Sequence, residues 1–407
     1  MAGGALDSAQ AATGGGLDDD APKVTLMKPV GYYKDREQTY LKHFFLERYL
    51  ETVAYHIGYS QKEFVYVDCF SGPWRAEDEE LGDTSIRIAL DRLNSVRNGL
   101  AQRQKYPSIR AIFVEKSPSV FATLKQVLQE HRGDVKTTAL AGSFEDNVDR
   151  IVDQVGSTFA FIFVDPTGWS GFAMDNLRPI LQRAKGEVMI NFMYDFINRF
   201  LTFQNAANEE SLDRCFGTRE WRSIRDNPDR EPALVNLYVE QVRTAGCFPY
   251  ATFSRILKPL HDRAYFHLVY ATRSAKGIEQ FREVEKKVVT EQQSVRQKAQ
   301  REHRERKSGQ AEIDFGADVQ SPGFKHEREQ QLRKADARLT ALLEEGPVGY
   351  EVLQPRVLEL PLVWNTDLNE MLVNGLRSGR LGIQGLGPRE RTPKAGCTIR
   401  LKTRTLS

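Results

Sequence analysis

The sequence predicts an α/β protein. A mostly parallel sheet is covered on both faces by helices, and a smaller helix-and-hairpin unit follows at the carboxyl end. Three observations carry this. Strand-like and helical stretches alternate from residue 63 to residue 192. One strand, Phe159-Ala160-Phe161-Ile162-Phe163-Val164, is apolar throughout, as a central strand buried on both faces must be. Polar or glycine-bearing turns follow four successive strands, and the carboxyl ends of strands are where such sheets place their chemistry.

The elements follow in order. Residues 34–57 carry Tyr40, Leu41, Phe44, Phe45, Tyr49, Leu50 and Val53 at helical spacing, and Gly58 ends the run. Strand 63–67 ends at Asp68. A polar helix spans 85–103. Strand 110–114 ends at Glu115, and helix 118–129 follows with Ser117 as its cap. Strand 135–140 leads into Gly142-Ser143-Phe144-Glu145 and a helix to residue 155. The strand ending at Val164 leads to Asp165-Pro166, helix 175–184 and strand 187–192. Residues 265–272 form one more strand. Residues 280–307 are densely and oppositely charged, which predicts a long solvated helix, and 308–325 read as a linker. Helices at 333–345, 349–358 and 367–377 come next, the last capped by Asn365 or Thr366 and stopped by Gly379. Residues 381–387 and 397–403 then pair as a hairpin, giving the pattern of a winged helix.

Composition excludes several classes. Of 407 residues, 40% are hydrophobic and 28% charged, so the chain is neither collagen-like nor wholly disordered. No apolar run approaches the roughly 20 residues of a spanning helix. Lys plus Arg number 57 against 55 Asp plus Glu, a net charge of +2, so any nucleic-acid footprint must be local. The four cysteines, Cys69, Cys215, Cys247 and Cys397, form no CxxC pair, and the seven histidines have no ligand spacing. This predicts no metal and a reducing, cytoplasmic setting. Residues 1–22 read as a disordered tail without the basic and apolar parts of a secretory signal.

Chemistry falls at the strand ends. Asp68-Cys69-Phe70-Ser71-Gly72-Pro73 is neither GxGxxG nor a P-loop. Its D-x-F-x-G form is that of Rossmann-like methyltransferases, with small residues that let S-adenosylmethionine approach the backbone. Glu115 is placed to accept both hydroxyls of a ribose. Its distance from Asp68 exceeds the usual spacing, which an insertion over 74–106 explains. Ser143 and Phe144 would flank an adenine, with the helix-cap reading equally open. Asp165-Pro166-Thr167-Gly168-Trp169 is similar to the acid-proline-aromatic turn of amino-methyltransferases, in which the acid holds the hydrogens of an amine and a ring stacks the base. Residues 371–407 carry eight cations, among them Arg377, Arg380, Arg389, Arg391 and Lys394, against Glu390 alone, suited to phosphate contacts or to protein docking.

These motifs, in this order, resemble a bacterial family, the three-Cys-motif partner proteins (TcmP). The resemblance rests on Lys42-His43-Phe44-Phe45-Leu46-Glu47-Arg48-Tyr49-Leu50, the Val67 to Pro73 turn, Phe113-Val114-Glu115, Val164 to Trp169, the Tyr265 to Thr272 strand with Gly277, and the tail. It spans about residues 32 to 405. It implies a Rossmann-like methyltransferase-type domain over 23–278, a charged helix and linker over 279–327, and a winged-helix domain over 328–407. It also implies a separate partner, a three-cysteine-motif protein resembling radical-SAM enzymes. The expected activity is S-adenosylmethionine-dependent methylation of nucleic acid. Asp68, Phe70, Ser71, Gly72, Glu115, Ser143 and Phe144 would hold the cofactor. Asp165, Pro166 and Trp169 would orient the acceptor. Lys42, His43, Arg377, Arg380, Arg389, Arg391 and Lys394 would meet nucleic acid. Two alternatives stay open: a non-catalytic scaffold and DNA-binding partner, and a metal-dependent nuclease using Asp68, Glu115 and Asp165.

Overall fold

A computed structural model describes residues 27–72, 84–166, 168, 171–201, 205–310, 321–387 and 389–402. A short 3-10 turn, Val30–Tyr33, leads into helix α1 (Glu37–Ser60). Then come β1 (Glu63–Asp68), α2 (Ser85–Gln102), β2 (Ser108–Glu115), α3 (Pro118–Glu130), β3 (Lys136–Ala141), α4 (Phe144–Val155), β4 (Ala160–Val164), α5 (Met174–Leu181) and β5 (Gly186–Phe192). Four helices follow: α6 (Tyr194–Phe200), α7 (Ala206–Phe216), α8 (Trp221–Ile224) and α9 (Arg230–Gly246). The sheet is completed by β6 (Tyr250–Leu257) and β7 (Ala264–Thr272).

The seven strands lie in the order β3-β2-β1-β4-β5-β7-β6. β1 to β5 are mutually parallel, while β7 runs antiparallel to both β5 and β6. The strand order reverses between β1 and β4, which places a crevice at their carboxyl ends. Every residue of β4 is buried, as its apolar sequence requires of a strand flanked on both sides and covered on both faces. β3, at one edge, buries only Leu140 fully.

α1 is packed into the main core. Tyr40, Leu41, Phe44, Phe45, Tyr49, Leu50, Val53 and Ala54 all lie in the core. Tyr49 donates its hydroxyl hydrogen to Glu187 (2.6 Å) and its oxygen lies 2.5 Å from that of Tyr270. Thr272 donates to the other Glu187 oxygen at 2.9 Å. A charge-capable group inside the core is tolerable only with such partners, and these fix α1 against β5 and β7.

After β7 comes α10 (Ala275–Ser308). The helix is present as expected, but one face of its first six turns is buried. Ile278, Phe281, Val284, Val288 and Val295 enter the main core, and Arg282 and Glu285 are wholly buried as an ion pair at 2.8 Å. The charge density had masked an apolar stripe. The expected tail, and most of the expected linker, lie outside the described residues. The described chain resumes at α11 (Pro322–Glu344), eleven residues earlier than residue 333.

The carboxyl-end unit then runs β8 (Val348–Gly349), α12 (Tyr350–Leu358), α13 (Asn365–Arg377), β9 (Leu381–Gln384) and β10 (Thr398–Leu401). β10 pairs antiparallel with both β8 and β9, so the expected hairpin forms. Trp364, not Asn365 or Thr366, holds the N-cap position of α13; its side chain caps nothing, and its N–H donates to Asp367 at 2.8 Å. Ser117 precedes α3 but makes no side-chain cap; Glu115 binds its N–H instead.

This unit is docked on the edge of the main sheet. Glu359 accepts from the Ala251 N–H and the Arg243 guanidinium, and its carbonyl accepts from Thr252. β6 is an edge strand, and these contacts satisfy part of its outward backbone.

Candidate functional site

Four strand-end turns build one cavity, three of them by several residues each and the turn after β4 through Gly168. The β1 turn is stitched to its neighbours through backbone: the Cys69 N–H donates to Phe163 O and the Ser71 N–H to Val114 O. The Gly142 N–H after β3 donates to Glu115 O. Gly142 has φ of 112°, a left-handed conformation that lets the chain turn sharply into α4. Ser143 then caps α4, with Asp146 returning the bond in a capping box.

The cavity has a volume of about 830 Å³, within the range of small-molecule sites. Phe70 and Gly72 line it from the first turn, Glu115 and Ser117 from the second, and Ser143 and Phe144 from the third. Glu115 is 4% exposed. One of its oxygens accepts the Ser117 N–H at 2.5 Å, and Oε2 has no protein partner among the described residues. A Cβ on Gly72 would lie 2.6 Å from that oxygen and 2.7 Å from Val120. Glycine therefore opens the space directly beside the carboxylate. Phe70 is partly exposed and packs on the buried Phe144 with ring centroids 5.6 Å apart. Phe70 thus presents the more accessible ring, and Phe144 backs it.

Two expected cofactor ligands sit behind the wall. Asp68 and Ser71 are fully buried and do not line the cavity. Asp68 accepts from the Phe70 N–H (3.1 Å) and the Ser85 hydroxyl (3.1 Å), so it holds the turn in shape. Burial pushes its carboxyl up to about 7, with nearby Asp165 adding to the shift and the Phe70 N–H, Ser85 and Lys42 opposing it.

Asp165 lies at the end of β4, beside this turn. Its Oδ1 accepts from Asn191 at 2.7 Å and its Oδ2 from Lys42 at 2.5 Å. Pro166 is buried behind it. Trp169 lies outside the described residues. The basic candidates divide. Lys42 is mostly buried against Asp165 and therefore faces the site, not a phosphate backbone. His43 is buried against Tyr33 at 3.2 Å and cannot reach nucleic acid. Arg380 is held by both oxygens of Asp336, and Lys394 pairs with Glu390. Arg377, Arg389 and Arg391 are exposed and unpaired among the described residues, and so are Arg400 and Lys402.

Sequence reasoning missed several lining residues: Lys116, Val120, Gly171, Phe196 and the α7 residues Asn208 and Ser211. Val120 and Phe196 sit one turn into helices that follow strand ends, where a helical position carries no motif. Among the described residues no three His, Cys, Asp or Glu side chains converge as a metal-ligand set. Nor is any described helix long and apolar enough to cross a membrane.

No family model and no curated protein matches this chain. Solved structures similar to it include cofactor-bound Rv0187 from MTB, with 11% identity, 56% of this chain and 79% of that chain covered, and a TM-score of 0.32. Protein LPL1258 from Legionella pneumophila str. Philadelphia 1, of family DUF519, has 11% identity, 58% and 85% coverage, and a TM-score of 0.33. A loganic acid methyltransferase with SAH has 11% identity, 70% and 92% coverage, and a TM-score of 0.28. Scores this low establish neither ancestry nor activity. The class rests on the sheet itself: a Rossmann-like, methyltransferase-type α/β fold with a seven-stranded, mostly parallel sheet.

Proposed function

We propose that the chain is an S-adenosylmethionine-dependent methyltransferase acting on nucleic acid. The observation that carries this reading is the single cavity at the ends of β1, β2 and β3, with the free oxygen of buried Glu115 beside Gly72. The residues fit the cofactor. A carboxylate with a free oxygen accepts ribose hydroxyl hydrogens. Phe70 offers a ring face for adenine, and Ser143 a polar edge. Asp68 and Ser71 support the turn on which the amino-acid end would rest. When bound, S-adenosylmethionine supplies an electrophilic methyl group.

The chain's own residues would do the rest. Asp165, fixed by Asn191 and Lys42, would orient the acceptor through the lone pairs those two donors leave free. The carboxyl-end unit has the element order of a winged helix, and its exposed arginines suit phosphate. The family assignment as a three-Cys-motif partner, with a separate cysteine-motif protein as its companion, belongs to the same proposal.

One observation favours a second reading. Both Asp165 oxygens are already engaged, which suits a scaffold that retains the fold without chemistry. A nuclease reading has less support, because the Lys42 ammonium stands at Asp165 where a divalent ion would need to sit.

Calorimetric titration with S-adenosylmethionine and S-adenosylhomocysteine tests the proposal. Saturable binding should be lost in Glu115→Ala, by at least about tenfold in affinity for a doubly hydrogen-bonded diol. Absence of binding to the native chain, with and without its partner, would leave the scaffold reading. Binding without methyl transfer to DNA or RNA would do the same.

A further inference from the structure

Helix-turn-helix modules seat their last helix in the major groove, with its first residues on base edges. In the carboxyl-end unit that helix would be α13, and it is held otherwise. Trp364, at its N-cap position, packs with Val289 of α10 and Phe324 of α11. The Arg328 guanidinium lies 3.8 Å from the centroid of the Trp364 ring and also binds both oxygens of Asp367. In the first two turns, Asn365 accepts from Gln354 at 2.9 Å and Asn369 from the Tyr350 hydroxyl at 3.1 Å. The end of the helix that would read bases is therefore tied into the protein.

The rest of α13 does not suit a groove lined by phosphates. Thr366, Glu370, Asn374 and Arg377 are its exposed positions, and their spacing sets them on one face. That face carries one acid and one base, and the base stands at its very end.

The β9–β10 hairpin is the reverse. In its register Thr398 faces Gln384 and Arg400 faces Gly382. Alternation along the strand sets Thr398, Arg400 and Lys402 on one side, while Ile399 is buried on the other. The Lys402 N–H donates to Arg380 O at 2.9 Å, so pairing continues past β10. A Cβ on Gly382 would lie 3.2 Å from Arg400 Nε and 3.5 Å from Lys402 Cε. Both long side chains therefore lie across the bare glycine, side by side. Both residues are exposed, and neither forms an ion pair among the described residues. Three acids around the hairpin are engaged elsewhere: Glu390 with Lys394, Asp336 with Arg380, and Glu351 with the Gly396 N–H. Two like charges set together repel each other unless an anion lies between them. The face has no aromatic ring on which a single strand would stack. The phosphates of a duplex meet both conditions.

Resting on the nucleic-acid reading, we propose that the carboxyl-end unit holds duplex DNA on the outer face of its hairpin, with phosphates against Arg400 and Lys402 and α13 kept out of the groove. Such contacts position a duplex without reading its sequence. Anisotropy titration of the full chain with a short mixed-sequence duplex, across a salt series, tests this. Each phosphate contact adds about 0.9 to the slope of log affinity against log salt. Arg400→Ala combined with Lys402→Ala should therefore flatten the slope by about 1.8, with the melting temperature held or raised as the repulsion goes. Glu370→Lys would steepen the slope by about 0.9 if α13 lay in the groove, and should instead leave it unchanged. Hydrogen exchange in the complex should slow in peptides from β9 and β10 and not in those from α13. A native slope in the double variant, a steeper one in Glu370→Lys, or protection confined to α13 would overturn the placement while leaving nucleic-acid binding intact. Tighter binding of a single strand than of the duplex would overturn the choice of duplex. A native chain that binds neither overturns this proposal and the nucleic-acid reading together.

Discussion

Asp68 is where a single carboxyl has a consequence for the whole chain. Its folded pKa is about 7, against 3.8 for an ordinary aspartate. Between those values the folded chain keeps a proton that the unfolded chain has released. Stability therefore falls as pH rises through that window and levels off above about 7, a change of a few kcal/mol at most. Asp68→Asn keeps an acceptor for the Phe70 N–H and removes the titration. The melting temperature of the variant relative to the native chain should climb from pH 4 to pH 7 and then flatten; a flat difference would mean Asp68 is ionised throughout. Gly72 makes a different kind of prediction. Gly72→Ala puts a methyl group against Glu115 Oε2 and Val120. The carboxylate end is the part that can yield, and it would leave the position in which it meets ribose. S-adenosylmethionine affinity should fall about tenfold or more while the melting temperature moves little, since one displaced side chain costs on the order of 1 kcal/mol. Calorimetry and a thermal melt on the same sample separate the two effects.

At the scale of elements, the parallel core was legible because each strand there is a short apolar run ending in a polar turn. The strand ends at Asp68, Glu115, Gly142 and Asp165 could be placed from sequence, and all four of those turns do line one cavity, the last through Gly168. What was not legible has physical causes. β6 reads Tyr-Ala-Thr-Phe-Ser-Arg-Ile-Leu, with Thr252, Ser254 and Arg255 breaking the apolar pattern. Thr252 and Arg255 are explained by distant partners: Glu359 and Arg282 for the first, Glu231 and Glu327 for the second. Asp68 and Ser71 matched a binding motif, yet burial turned them into supports, which spacing alone does not reveal. α10 looked solvated because Arg282, Glu285 and Arg296 occupy its buried face. Arg282 donates to the carbonyls of Leu358, Phe253 and Glu359 and pairs with Glu285. Removing such a partner leaves a buried carboxylate without its cation and takes a donor from the Leu358 and Phe253 carbonyls, which typically costs roughly 3–5 kcal/mol. Arg282→Ala should lower the melting temperature by several degrees. It should also make α11 to β10 the first segment cut by limited proteolysis; cleavage beginning elsewhere would show that this arginine does not hold the two parts together.

On the scale of the whole molecule, a net charge of +2 hides a strong asymmetry. The exposed, unpaired cations Arg377, Arg389, Arg391, Arg400 and Lys402 gather on α13 and the β9–β10 hairpin, at one end of the molecule's sequence. A strand of nucleic acid bound to this molecule would therefore be gripped by its phosphates there, and any base contacts would be made separately. The two contributions have different salt signatures. Phosphate contacts release counterions, each adding about 0.7 to the slope of log affinity against log salt for single strands and about 0.9 for duplex. Base stacking adds almost nothing to that slope. The double variant Arg389→Ala, Arg391→Ala should therefore flatten the slope by about 1.4 on a single strand if both guanidiniums meet phosphates. Arg380→Ala, whose guanidinium is already held by Asp336, should leave the slope nearly unchanged and lower stability instead. Anisotropy titrations across a salt series read these slopes directly. A double variant with the native slope would move the phosphate grip away from the hairpin and leave its basic surface to a protein partner.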